Sequence, residues 1–152
     1  MKKLLSTLLL GLSALLFSHG ALAADKGTAE EATALTKKAI AYLKANGKEK
    51  AFAEFNNPNG QFKDRDLYVF VFDFNGKTLA HGTNPKLLDK TLLDLKDADG
   101  KLFVKEFVEV AKAKGKGWVD YKWPHPTTKV IEAKSTYVEK VDDMLVGCGI
   151  YK

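Results

Sequence analysis

Leu67-Tyr-Val-Phe-Val-Phe-Asp73 decides the fold. Every position before Asp73 is apolar or aromatic, and no polar face alternates with an apolar one. A short run of this kind is a strand covered on both of its faces. Asn75-Gly76 follows, the strongest short hairpin signal a sequence offers. It predicts a returning strand over Lys77–His81. A tight hairpin requires an antiparallel sheet, and two covered faces require a layer on each side of it.

On the N-terminal side, Thr28-Ala-Glu-Glu31 has the form of a capping box. Ala32, Leu35, Ala39, Tyr42 and Leu43 then recur at helical spacing, and Asn46-Gly47 is a stop. A second short helix is predicted over Glu49–Phe55, before the loop Asn56-Asn-Pro-Asn-Gly60. On the C-terminal side, Gly82 to Gly100 is a long connection. Lys101–Lys114 reads as an amphipathic helix with Asp97 or Asp99 placed to cap its start and Gly115 to stop it. Three strands close the chain. Gly117–Trp123 has Val119, Tyr121 and Trp123 on one face. Val130–Val141 has Ile131, Ala133, Ser135, Tyr137 and Val141 together, and Met144–Tyr151 is last. Pro124-His125-Pro126 and Asp142-Asp143 are the turns between them. This order is that of an α+β domain.

The N-terminus reads as an export signal. Lys2 and Lys3 precede the apolar run Leu4–Phe17, and Ala21-Leu22-Ala23 supplies small residues at the cleavage site. The run is shorter than the roughly 20 residues that a membrane span needs. Cleavage is expected after Ala23, which leaves residues 24–152 as one domain in the periplasm. Of the 24 basic residues, Lys2 and Lys3 leave with the signal, so 22 face the 19 acidic ones. Arg65 is the one arginine. Scattered lysines without arginine are a solvated surface, and nucleic acid is not an expected partner. The single Cys148 lies in an apolar strand and is expected to be a small buried hydrophobe. No second apolar run follows the signal, so no span is expected in the mature chain.

Sharper motifs are missing. Asp97-Ala-Asp-Gly100 with Glu106 copies four positions of a calcium loop, but Leu95 stands where the first ligand belongs. No paired cysteines, zinc-type histidine spacing, nucleophile elbow or phosphate loop is present. No metal or other cofactor is expected, and neither is catalysis.

The second half resembles the single Cache domains, PAS-like extracytoplasmic sensor modules of bacteria. The resemblance runs through Asp66-Leu-Tyr-Val-Phe-Val-Phe-Asp-Phe-Asn-Gly-Lys77, Leu79-Ala-His-Gly-Thr-Asn-Pro85 and Asp94-Leu-Lys-Asp-Ala-Asp-Gly100. It continues through the Phe103–Gly115 helix and Gly117-Trp-Val-Asp-Tyr-Lys-Trp-Pro124. It closes on Lys134-Ser-Thr-Tyr-Val138 and Gly147-Cys-Gly-Ile-Tyr151. It implies a five-stranded antiparallel sheet, a long N-terminal helix on one face and a small ligand pocket on the other. It also implies a short organic acid or amino acid as ligand, and a chemoreceptor or sensor kinase as signalling partner. Two positions depart from the family's habit: Met144 where Trp is frequent, and Asp89-Lys90 in place of Gly-Lys. With no receptor module after Lys152, the sequence reads as a free-standing version.

A carboxylate pocket needs a few donors in an apolar wall. The candidates are His81, Asn84, Tyr121, Trp123, Lys134 and Tyr137. Tyr121 and Trp123 share a strand face. Lys134 and Tyr137 are three residues apart, so a regular strand points them to opposite faces. The alternatives are an interaction module that docks on a membrane sensor or forms a homodimer through the N-terminal helix stripe of Leu35, Ala39 and Tyr42, and a small periplasmic enzyme using His81 or Tyr137.

Overall fold

The computed structural model describes residues 26–152. The expected signal peptide and its expected cleavage site after Ala23 lie outside the described residues. Helix α1 (Ala29–Asn46) begins with the expected capping box: Thr28 Oγ1 accepts from the Glu31 amide at 3.2 Å, and Glu31 Oε2 accepts from the Thr28 amide at 2.8 Å. It stops at Gly47, whose φ of +80° lies in the region that favours glycine. Helix α2 (Lys48–Phe55) follows directly. Then come the two-residue strand β1 (Lys63–Asp64), β2 (Leu67–Asp73) and β3 (Thr78–His81). Helix α3 (Phe103–Lys114) precedes β4 (Lys116–Pro124), β5 (Ile131–Val141) and β6 (Met144–Tyr151).

The five longer strands form one antiparallel sheet in the order β3-β2-β6-β5-β4, with β1 pairing onto the start of β2. The doubly apolar β2 sits inside it, as its composition requires. Val69 and Val71 face a core built with Ala39, Ile40 and Leu43 of α1, Phe55 and Phe62. Tyr68, Phe70 and Phe72 face the other way, against Phe103, Val104 and Phe107 of α3. Burial of these side chains at about 25 cal/mol per Å² is the main term holding both layers to the sheet. Met144 is fully buried in the α1 layer. Among the described residues no helix is long and apolar enough to cross a membrane.

One detail differs from the sequence reading. Neither Asp97 nor Asp99 caps α3, whose cap position is Leu102 without a side-chain bond. The Asp97 carboxylate instead accepts from the amides of Asp99, Lys101 and Lys122, which ties the long connection to β4. An acceptor three backbone donors share is worth more there than at a helix end that solvent can satisfy. The helix stripe proposed for docking is partly covered by the sheet, with Leu35 and Tyr42 half-buried. Ala39 is fully buried, and Leu35 and Tyr42 pack on the core under α1.

The connection after β3 contains a single 3-10 turn, Pro85–Leu87, and runs back along the β2–β3 hairpin. The amide of Thr78 donates to the Lys90 carbonyl, and the amides of Asp89 and Leu92 donate to the carbonyls of Thr78 and Gly76. Asp89 has φ +63°, a left-handed conformation that glycine adopts without cost and aspartate tolerates. Its carboxylate pairs with Lys77 at 2.9 Å.

Candidate functional site

On the α3 side of the sheet the strands leave a hollow because β6 carries Gly147 and Gly149 there. A Cβ on Gly147 would stand 2.5 Å from the ring of Phe70. A Cβ on Gly149 would stand 2.6 Å from Lys134 Cε and closer still to Thr136 Oγ1. The two glycines therefore make room for an aromatic ring and for a long side chain crossing the sheet.

Lys134 is that side chain. It lies on the same face of β5 as Thr136 and Val138 and is only 1% exposed. Nζ donates to Tyr68 Oη at 2.8 Å and to Tyr151 Oη at 3.2 Å. It also stands 4.1 Å and 4.6 Å from the two ring centroids. Tyr151 in turn donates to the Pro124 carbonyl at 2.9 Å. Among the described residues no carboxylate lies within ion-pair distance of Lys134. A buried cation usually has such a partner, because its desolvation costs several kcal/mol.

Next to it a cavity of about 10 Å³ is lined by Tyr68, Phe70, His81, Phe103, Tyr121 and Trp123, with Leu87 and Leu92 from the long connection closing it. That is room for about one water. Phe103 stacks on Tyr121 at 4.5 Å between centroids and packs on Trp123 at 5.2 Å. Tyr121 Oη lies 3.1 Å from Thr136 Oγ1, and burial keeps its hydroxyl protonated.

His81, 5% exposed, ends β3 at the wall of this cavity. Its Nδ1 accepts from the amides of Thr83 and Asn84 at 3.3 and 3.1 Å. The ring proton of the neutral form therefore sits on Nε2. Burial, and then the charge on Lys134, push its pKa down to about 3. His81 is thus a neutral donor at neutral pH.

The sequence candidates divide accordingly. His81, Tyr121 and Trp123 line the cavity, and Lys134 abuts it through Tyr68. Asn84 stands outside: its Oδ1 accepts from the Lys86 amide and its own amide fixes the His81 tautomer. Tyr137 is on the α1 side of β5, where it donates to Glu139 at 2.6 Å and packs on Trp118. The strand's period of two separates it from Lys134. The sequence reading missed Tyr68 and Tyr151, the two hydroxyls on Lys134. Tyr68 was visible as the first of three alternating aromatics in β2, and Tyr151 as the partner of Lys134 across β5–β6.

Cys148 is fully buried on the α1 side with Ala32 and Leu67, and burial pushes its thiol up to about 12. It is expected to resist alkylation in the folded protein and to react fully in denaturant, as mass spectrometry would show. Among the described residues no group of three or more His, Cys, Asp or Glu is placed to hold a metal ion.

Comparison with known proteins bears on this site. A methyl-accepting chemotaxis protein of Pseudomonas putida, McpP, is 34% identical over 90 residues, 58% of this chain and 16% of its own length. The sensor histidine kinase MctS of Rhizobium johnstonii is 36% identical over 89 residues, 57% of this chain and 19% of its own. The chain thus spans less than a fifth of the length of these curated relatives. A solved Cache chemosensory domain, described as the structural basis for carboxylic acid recognition, superposes with a TM-score of 0.68. It is 26% identical, and the match covers 80% of this chain and 91% of that one. The family model for the Cache domain matches residues 30–152, and the chain belongs to that family.

Proposed function

We propose that this domain is an extracytoplasmic sensor that binds a short monocarboxylate beside Lys134 and does no chemistry on it. The observation that carries this reading is the buried Lys134 cation with no carboxylate partner, set at the edge of an aromatic cavity. A ligand carboxylate there supplies the missing countercharge and accepts from Lys134 Nζ and from His81 Nε2–H. Charge-assisted bonds of this kind are about twice as strong as neutral ones. The hydrocarbon end lies among Phe103, Phe107 and Trp123. The recognition of carboxylic acids by a solved Cache domain of the same fold supports the ligand class. The likeness to a chemoreceptor and a sensor kinase supports a role in signalling through a membrane sensor. The export signal read from residues 1–23 supports a periplasmic location.

A free volume of about 10 Å³ admits no carboxylate without widening. Leu87 and Leu92 belong to the one wall that is not a paired strand or long helix, and that wall opens most cheaply. The test is thermal unfolding of the chain from Ala24 in the presence of short carboxylates, amino acids and amines. At 100 times Kd a ligand adds about 2.7 kcal/mol, a shift of several degrees for a domain of this size. A selective shift with short carboxylates is expected. A flat panel would contradict the reading, and would favour a module whose filled cavity serves only packing and whose surface docks on a membrane sensor.

A further inference from the structure

A second buried polar group lies behind Tyr151 and takes no part in the cavity wall. Asp66, at the start of β2, and His125, in the β4–β5 turn, are each 4% exposed. Asp66 Oδ1 accepts from the Gly27 amide at 2.7 Å. Its Oδ2 is buried and has no hydrogen-bond partner. His125 Nδ1 accepts from the amides of Thr127 and Thr128, so the ring proton sits on Nε2. That nitrogen is 4.0 Å from Asp66 Oδ2. The His125 ring packs on Tyr151 at 4.7 Å, and Tyr151 Oη holds Lys134.

We propose that Asp66 and His125 are the proton-accepting half of the ligand site, so that the domain takes up about one proton when it binds a carboxylate. This rests on the carboxylate reading given above. In the ligand-free protein Lys134 and Asp66 stand on opposite sides of Tyr151 with no ion pair between them, so each offsets the other only at a distance. A bound carboxylate neutralises Lys134 and leaves the Asp66 charge without its counterweight in a medium of low dielectric. A proton on His125 restores the balance, and a small approach of Nε2 to Oδ2 turns their 4.0 Å separation into an ion-paired hydrogen bond.

The other charged groups near His125 do not compete for this role. Lys26 and Glu132 pair with each other at the rim at 3.0 Å. Lys129, on the same turn as His125, donates to the Pro126 carbonyl. Tyr151 is kept protonated by burial. His81, the remaining imidazole of the described residues, has its ligand-free pKa pushed down to about 3 by burial and the Lys134 charge. It would have to rise by several units to take the proton.

The sign follows from linkage. A bound anion raises the proton affinity of His125, so protons must equally raise affinity for the anion. Between the ligand-free and loaded titration midpoints of His125, affinity rises by up to about tenfold per unit fall in pH. It is lost as pH rises through the loaded midpoint.

The test is an NMR titration of the two imidazoles in the purified protein, kept above pH about 6 so that the ligand stays ionised. Sodium acetate, or propionate if it shifts the melting temperature more, is compared with sodium chloride at equal ionic strength. The His125 midpoint is expected to rise by about one unit in carboxylate while His81 does not titrate. Asp66→Asn and His125→Gln are expected to bind the carboxylate with affinity independent of pH. Should one variant fail to fold, the other and the wild-type titration carry the test. Carboxylate binding with an unmoved His125, or with the proton on His81, overturns the inference and leaves the proposed function standing. Absence of binding by both carboxylates overturns the proposed function and the coupling with it.

Discussion

Lys134→Met is expected to abolish carboxylate binding while leaving the domain folded. Two opposing effects set its stability. The ammonium donates two hydrogen bonds to Tyr68 and Tyr151 and stands over both rings. Each bond to a charged group is worth about 1.5–3 kcal/mol and each cation–π contact about 1–2. Against them stands the desolvation of a cation that has no carboxylate in contact, several kcal/mol. Methionine fills the same tunnel between Gly149 and Thr136 without a charge, and Tyr151 keeps its bond to the Pro124 carbonyl. Stability is therefore expected to stay within about 2 kcal/mol of the parent. Binding is different, because losing one member of a buried charge pair costs about 2–5 kcal/mol, or about 30-fold to several thousand-fold in Kd. Calorimetric titration together with a melting curve reads both quantities. Unchanged affinity in a folded Lys134→Met would remove Lys134 from the site.

The glycines of β6 give the second large effect. Gly149→Ala places a methyl against Thr136 Oγ1, Lys134 Cε and the Ser135 carbonyl, the last at 3.0 Å. The carbonyl belongs to the sheet and cannot swing away, so β5 and β6 must separate locally. Overpacking of this kind costs about 1–3 kcal/mol, which lowers Tm by roughly 4–11 °C in a domain of this size. Gly147→Ala meets only the far edge of the Phe70 ring, at 2.5 Å from Cζ. A ring that lines a small cavity can rotate into it, so the expected cost in Tm is smaller and the loss is felt in binding. Thermal melts of the two variants side by side check the order. A Gly149→Ala protein as stable as the parent would show that the close approach of β5 and β6 is not as described.

The fold was legible wherever a local rule and the tertiary context agree. The unbroken apolar run of β2, the Asn75-Gly76 turn and the Thr28–Glu31 box each have one good structural answer, and each adopts it. The candidate site was legible in part. Tyr121 and Trp123 share a face by period, and His81 ends a strand beside the cavity. Lys134 could be named, but its burial could not be read. The face of β5 that carries Glu132, Lys134, Thr136 and Lys140 looks solvated by composition. Its middle, Lys134 to Val138, becomes interior because α3 covers that part of the sheet and Gly149 of the neighbouring β6 leaves room for the Lys134 side chain, and strand pairing across the sheet is not a local property. His125 shows the same limit. Between two prolines it reads as a turn residue, yet the turn folds back so that Asp66 and Tyr151 enclose it. Asp97 failed for another reason. A carboxylate just before a helix is a natural cap, but α3 starts six residues after Asp97, and the amide of Lys122 on a distant strand offered it a third bond.

The central claim is that Lys134 waits for a carboxylate. The measurement that tests it most directly is a crystal structure of the protein soaked or grown with propionate. The account predicts propionate density beside Lys134, with a carboxylate oxygen about 2.7–3.2 Å from Nζ and another near His81 Nε2. It also predicts Leu87 and Leu92 moved outward from the cavity of about 10 Å³ seen here. A cavity that stays closed at saturating propionate, with Lys134 still held only by Tyr68 and Tyr151, would contradict it.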